Sequence, residues 1–440
     1  MKNKIVYIGL LVASTMFGSC DKYLDIKPVG AVIPTTTSDF RGLLATAYSI
    51  FPAHKSYLNL RTDELYLDEY SEDLSAIKDI YLWNDQNPDP TTTPYPYQNF
   101  YRSIFYANHI LSEIDEKAGN SSENDQIKAE AYAIRAYAHF ELLNMYAPKF
   151  NAATAATDKG IALSTAVDLE QEFKLATVEE VYNLIFSDLE MAEVLVKDNV
   201  PTSTILRYRF SKSAIFALQS RIHLFRAEWA EAKAYAEQAL AINDKLEDLN
   251  QSNVLPNEFT SVEMIQALEN VGNNMVVRST YVKPEFIANY DVAGDLRVAK
   301  YFQKSGSRYV SIKGGNDKFN VSFRNGELVL NIAEAAVQAD DLVTAKTALL
   351  KLAKNRLTAT YFDTYQTKVN VLNKADLLSE IYSERGRELV LEGLRWFDLK
   401  RTTQPQITHV FGGKEYILQQ YDPRYTIKFP REAMQNNPNL

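Results

Sequence analysis

From Ile127 to Leu143, apolar residues recur at Ile127, Ala131, Ile134, Ala138 and Leu142, and a second stripe runs through Ala129, Ala133, Ala136, Phe140 and Leu143. Two apolar stripes lined with small residues predict a helix packed between neighbours. Ser122, with Asp125 three residues on, marks its start and Pro148 its stop. A second helix opens at Thr177 with Glu180 in the capping position and carries Val178, Val181, Ile185, Leu189, Ala192 and Leu195 on one face. A third runs from near Ser211 to about Arg226. Farther on, Phe216, Ser220, His223, Ala232, Ala236 and Ala239 fall near tetratricopeptide spacing, with Trp229 at the turn. Val329, Ala333, Ala336, Ala345, Leu349 and Leu352 repeat that spacing. Two stretches break the helical period: Asn84 to Tyr97, punctuated by Pro88, Pro90, Pro94 and Pro96, and Asn250 to Lys318, with scattered turns and β-branched residues. The pattern predicts an all-α fold, a tetratricopeptide-like core of helical hairpins with long loop-rich insertions. It divides residues 20–440 into a helical part to 250, an insertion over 251–325 and a carboxyl-terminal part from 326.

The amino terminus has another character. Two lysines within Met1–Lys4, a short apolar run from Ile5 to Ala13, and Phe17-Gly18-Ser19-Cys20 form a secretory leader of the bacterial lipoprotein type. Residues 1–19 are expected to be removed and Cys20 to carry the lipid anchor, the alternative being an unmodified thiol. Cys20 is the single cysteine, so no intramolecular disulfide is available and an exported chain relies on its core. Hydrophobic residues make up 46% and charged residues 23%, as in a folded domain. The net charge of −9 becomes −11 without the leader, and with no Lys/Arg-rich stripe this excludes a nucleic-acid partner. Tyrosine is abundant, at 27 residues, and serves both helix interfaces and sugar or peptide surfaces.

No catalytic signature emerges. The five histidines form no His-Glu-x-x-His, no cysteine remains for zinc, and no nucleophile elbow, phosphate loop or dinucleotide fingerprint is present. His139 and His223 fall within helical patterns and are expected to be packed or capped. Gly314-Gly315 and Gly412-Gly413 read as turns. The acids Asp63-Glu64, Asp68-Glu69 and Glu72-Asp73 could serve a glycoside hydrolase, but they crowd one short segment, so a solvated helix edge is expected, with a calcium site as the next alternative. Ser383 to Arg401 reads as a helix with acid and base at three- and four-residue spacing, broken by Gly393 and followed by an aromatic wedge. Glu384 with Arg387, Arg385 with Glu388, and Glu392 with Arg395 can pair along this helix or knit it to a neighbour.

This run, ERGRELVLEGLRWFDLKR, together with the closing YTIKFPREAMQNNPNL, resembles the carboxyl-terminal signature of the SusD/RagB family of outer-membrane nutrient-binding lipoproteins. Tyr23 to Pro28 is similar to the family's opening, Asn99 to Leu111 to an early helix, and Lys128 to Ala147 to its first tetratricopeptide helix. The resemblance spans the mature chain, which is a short member. It implies a non-catalytic, cofactor-free protein, lipid-anchored at the outer-membrane surface. Such a protein binds oligosaccharides, or peptides in some relatives, and caps a SusC-like TonB-dependent transporter. An α-helical glycoside hydrolase and a protein-only tetratricopeptide scaffold are the other classes. Ligand contacts are expected from Tyr81, Trp83, Asn84, Tyr95 and Tyr97 in the first loop, where Trp83 either stacks on ligand or anchors the loop into the helices. A second set is Tyr281, Tyr290, Tyr301 and Tyr309 with Arg297 and Arg308.

Overall fold

The computed structural model describes residues 33–168, 171, 173–314, 316 and 318–440. The leader, Cys20, the Tyr23–Pro28 opening and Gly315 lie outside them. The helices that build the core are α1 (Thr37–Ser49), α2 (Tyr97–Ala118), α3 (Ser122–Tyr146), α4 (Val178–Leu195), α5 (Lys212–Phe225), α6 (Trp229–Ile242), α7 (Asn325–Gln338), α8 (Leu342–Lys354), α9 (Ala359–Val371), α10 (Lys374–Glu388) and α11 (Arg395–Arg401). Helix α3 packs between α2 and α4 and is buried almost all round, as its two small-residue stripes require. The hairpins α5–α6 and α7–α8 form as the repeated spacing predicts, and α6 packs against α7, stacking one hairpin on the next.

Local signals placed the helix ends closely. Thr177 and Glu180 make a reciprocal capping box at α4, the threonine oxygen accepting from Glu180 N at 3.2 Å and the glutamate from Thr177 N at 2.7 Å. At α3 the cap is Ser121 rather than Ser122, its hydroxyl accepting from Asn124 N at 3.0 Å. His139 is buried in α3, its Nδ1 2.9 Å from Arg135 O, and burial pushes its imidazole pKa down to about 3.

The acidic segment is not a helix edge. Leu65–Leu67 forms strand β1, because Leu65 and Leu67 alternate with Tyr66 and are drawn to one side of a sheet. Three strands from the 251–325 insertion complete that sheet: β2 (Thr280–Val282), β3 (Phe302–Ser305) and β4 (Arg308–Ser311). The order is β1-β2-β4-β3, all antiparallel, with Leu65 opposite Val282, Tyr66 opposite Tyr281, and Val282 opposite Tyr309. The insertion is thus part of the scaffold. A separate hairpin, β5 (Ile407–Phe411) and β6 (Lys414–Leu418), turns at Gly412-Gly413, whose φ of +59° and +69° suit a two-residue hairpin loop.

The carboxyl-terminal run knits elements together more than it pairs along itself. Glu384 and Arg387 do pair within α10 at 2.8 Å. Arg385 instead reaches Asp398 at 3.2 Å, and Arg395 reaches Asp63 at 2.7 Å. Glu388 accepts from Arg297, Arg324 and Arg356, while Glu392 joins Arg324 and Lys313. Gly393 lies at φ +75°, and a Cβ there would meet Lys55 Cβ at 2.2 Å. Asn59 clasps this turn, its amide donating to Leu391 O at 3.1 Å and its oxygen accepting from Gly393 N at 3.0 Å. Gly393→Ala should therefore lower unfolding stability by about 1–3 kcal/mol, readable in denaturant titration, and an unchanged midpoint would show that the turn yields freely.

Candidate functional site

Most of the aromatic residues singled out from the first loop belong to the core. Tyr81, Trp83 and Tyr95 are buried. The Trp83 indole donates to Arg61 O at 3.0 Å and stacks on His409 at 4.1 Å, with Tyr81 stacked on the same imidazole at 4.0 Å. Both His409 nitrogens face carbonyls, those of Tyr81 and Thr62, at 2.6 and 2.8 Å. Burial, with the Lys283 charge, pushes its pKa down to about 3, and a neutral ring can donate to only one of those oxygens. Arg61 grips Asp85 at 2.8 and 2.9 Å, and Asp79 accepts from Asp89 N at 2.6 Å and Thr92 Oγ1 at 3.1 Å. These contacts fasten the proline-rich loop onto the helices. Trp83 is its anchor. Asn84 is exposed but spends its amide on Asn87 O at 3.1 Å, and Tyr97 is half-buried among Tyr101, Tyr146 and Phe429.

In the second set, Tyr290 is buried and donates to Arg387 O at 2.8 Å. Arg297 is buried and bonded to Asp295, Glu384 and Glu388, and Tyr301 is buried as well. Tyr81, Trp83, Tyr95, Tyr290 and Arg297 therefore present no surface to a ligand. Large rings gain most by burial, and Arg297, costly to bury alone, is buried with Asp295, Glu384 and Glu388 around it. Tyr309 is half-buried opposite Val282 on the inner side of the sheet, with Lys304 Nζ 5.7 Å above its ring.

The outer side of the same sheet carries a different arrangement. Leu65, Leu67 and Val282 point to the core, so Tyr66 and its cross-strand partner Tyr281 point away from it. Their rings lie 5.4 Å apart at 30°. The Arg308 guanidinium sits 4.6 Å over Tyr281, and the Tyr281 hydroxyl donates to Asp68 at 3.4 Å. Asp68 also caps the turn that carries Tyr70, which is 92% exposed. Beside them Arg278 pairs with Asp73 at 2.5 Å, and Glu69 accepts from Gly412 N at 2.8 Å, tying the β5–β6 hairpin to the rim. Tyr66 and Tyr281, with the Arg308 guanidinium over Tyr281 and Asp68 at its hydroxyl, combine ring surface for an apolar face with charged groups able to read hydroxyls. Tyr281 and Arg308 were legible in sequence. Tyr66 and Tyr70 were not, although the Leu-Tyr-Leu alternation was the available signal.

The acids of residues 63–73 do not converge on a reacting centre. Asp63 is held by Arg395, Asp73 by Arg278 and Glu69 by the hairpin turn. Glu64 is buried, accepting from Leu391 N and Thr62 at 3.1 Å each, and burial raises its pKa to about 8. Among the described residues, His54, Glu141 and Glu269 bring one ligand atom each within 4.8 Å of one another. Lys55 already salt-bridges Glu269 there at 2.7 Å, supplying the positive charge a metal would bring. No helix among the described residues is long and apolar enough to cross a membrane.

A family profile described as starch-binding and associating with the outer membrane matches residues 22–224, and a SusD family profile matches 257–439. A SusD-like protein of Formosa agariphila is 24% identical over 92% of each chain. A SusD superfamily protein from Bacteroides thetaiotaomicron superposes with a TM-score of 0.77 at 19% identity, covering 92% of this chain and 98% of that one. A laminarin-binding SusD-like protein superposes with a TM-score of 0.64 at 19% identity, covering 84% and 92% of the two chains. Together the two profiles take in the sheet, the signature turn and the core helices apart from α6, and the overall fold recurs in the solved structures. The chain belongs to the SusD family.

Proposed function

We propose that this protein captures oligosaccharides on the outer face formed by Tyr66, Tyr281 and Arg308 and delivers them to a SusC-like TonB-dependent transporter. It does so without chemistry of its own, tethered to the outer-membrane surface by lipid on Cys20. The observation that carries this reading is the cross-strand tyrosine pair, directed out of a sheet whose other side is core, with a guanidinium over one ring and Asp68 at its hydroxyl. Family membership and the glycan named for the laminarin-binding relative support it. Each stacked ring contributes about 0.5–1.5 kcal/mol, so an open two-ring shelf binds modestly and releases readily.

Calorimetric titration of the lipid-free protein beginning at Asp21, against oligosaccharide and short-peptide panels, tests this with Tyr281→Ala in parallel. Saturable glycan binding, weakened about tenfold in the variant at unchanged unfolding temperature, is the expected result. Peptide binding in its place would change the cargo, and glycan affinity indifferent to Tyr281 would move the site elsewhere.

A further inference from the structure

A cleft of about 330 Å³ opens between the α4–α5 connection, the carboxyl end of α6 and residues 262–265. None of the residues lining it belongs to the tyrosine face. Val200, Pro201, Ile242, Val262, Met264 and Ile265 supply apolar wall, and Val200 and Val262 stay 47% and 44% exposed. Arg207 also lines it. One amino group of Arg207 is fixed by Phe259 O at 2.6 Å and Ser261 O at 2.7 Å, which leaves the edge formed by Nε and the other amino group without a hydrogen-bond partner among the described residues. Half-buried Arg207 has no carboxylate beside it among the described residues, whereas Arg61, Arg221, Arg324 and Arg401 each do. Lys245 stands exposed at the same cleft with no ion pair among the described residues, and no acid lines the walls.

A desolvated guanidinium is normally answered by an anion, and its free edge matches a carboxylate with two parallel hydrogen bonds. Apolar walls beside that edge call for an apolar substituent on the anion, and the volume admits one small group. We propose that this cleft binds a carboxylate bearing a branched apolar group, either as a free acid or as the last residue of a peptide.

Calorimetry of the lipid-free protein with N-acetyl-leucine and Gly-Gly-Leu, each against its carboxamide, tests this. Both acids should saturate and both amides should bind at least tenfold more weakly, with the tighter acid identifying the source. Arg207→Gln and Val262→Trp should each weaken the acids tenfold or more and leave glycan titrations unchanged. Val262 is a surface position, so Val262→Trp decides the matter if Arg207→Gln does not fold. Equal affinity for acid and amide, no binding of either acid, or acid binding indifferent to Val262→Trp would overturn the proposal.

Discussion

Glu388→Gln should cost about 3–5 kcal/mol of unfolding free energy, a large share of what holds a typical domain folded. Glu388 is fully buried and accepts from Arg297 at 3.1 Å, Arg324 at 2.5 Å and Arg356 at 2.8 and 2.9 Å. An amide keeps the shape and removes the charge, leaving three buried guanidinium groups short of an anion. Burial alone would raise the Glu388 pKa, but Arg356 and Arg324 overcome it and hold the carboxyl well below the ordinary value of 4.5. A depressed pKa stabilises the fold above the unfolded value, and that contribution is lost as pH falls. The gap between wild type and Glu388→Gln should therefore be full above about pH 4.5 and close in stronger acid. Denaturant unfolding across that range checks it, and a difference under about 1 kcal/mol near neutrality would mean that the neighbouring acids suffice. Glu263 bears on this, because it contacts Arg356 at 2.8 Å yet burial, reinforced by Glu388 and Glu392, keeps its pKa up to about 7. Removing the Glu388 charge relieves part of that rise, so Glu263 is the neighbouring acid best placed to take up some of the loss.

Trp83→Ala should also lower stability by about 3–5 kcal/mol while leaving glycan affinity intact. Removing the indole opens a cavity against His409, leaves Arg61 O without its donor and loosens the anchor of residues 84–97. Denaturant unfolding and oligosaccharide titration on the same sample separate the two effects. Lost binding at unaltered stability would return Trp83 to the ligand surface and displace Tyr66 and Tyr281 from that role.

How far the site could be read in advance depended on the range of the forces involved. Tyr281 and Arg308 stood out because aromatic and cationic residues cluster in a stretch poor in helical period. The same criterion also selected Tyr290 and Arg297, which are buried. Composition alone does not separate a ring that stacks on ligand from one that stacks on histidine. Tyr66 was obscured by its acidic neighbours, and strand β1 exists only because β2, more than 200 residues later, pairs with it.

By itself the sequence determined helices α3 to α5, the capping box of α4, the repeated hairpin spacing and the signature that marks the family. These rest on contacts between residues three or four apart, as at Thr177 and Glu180, or on periodicity that neighbours can only reinforce. The tertiary structure decided which side of each residue faced water. It turned Trp83 inward onto His409, sent Arg395 to Asp63 across the fold, and joined β1 to the insertion so that Tyr66 and Tyr281 met. Pairings between distant segments follow from the total area they bury, which no local stretch of the chain encodes.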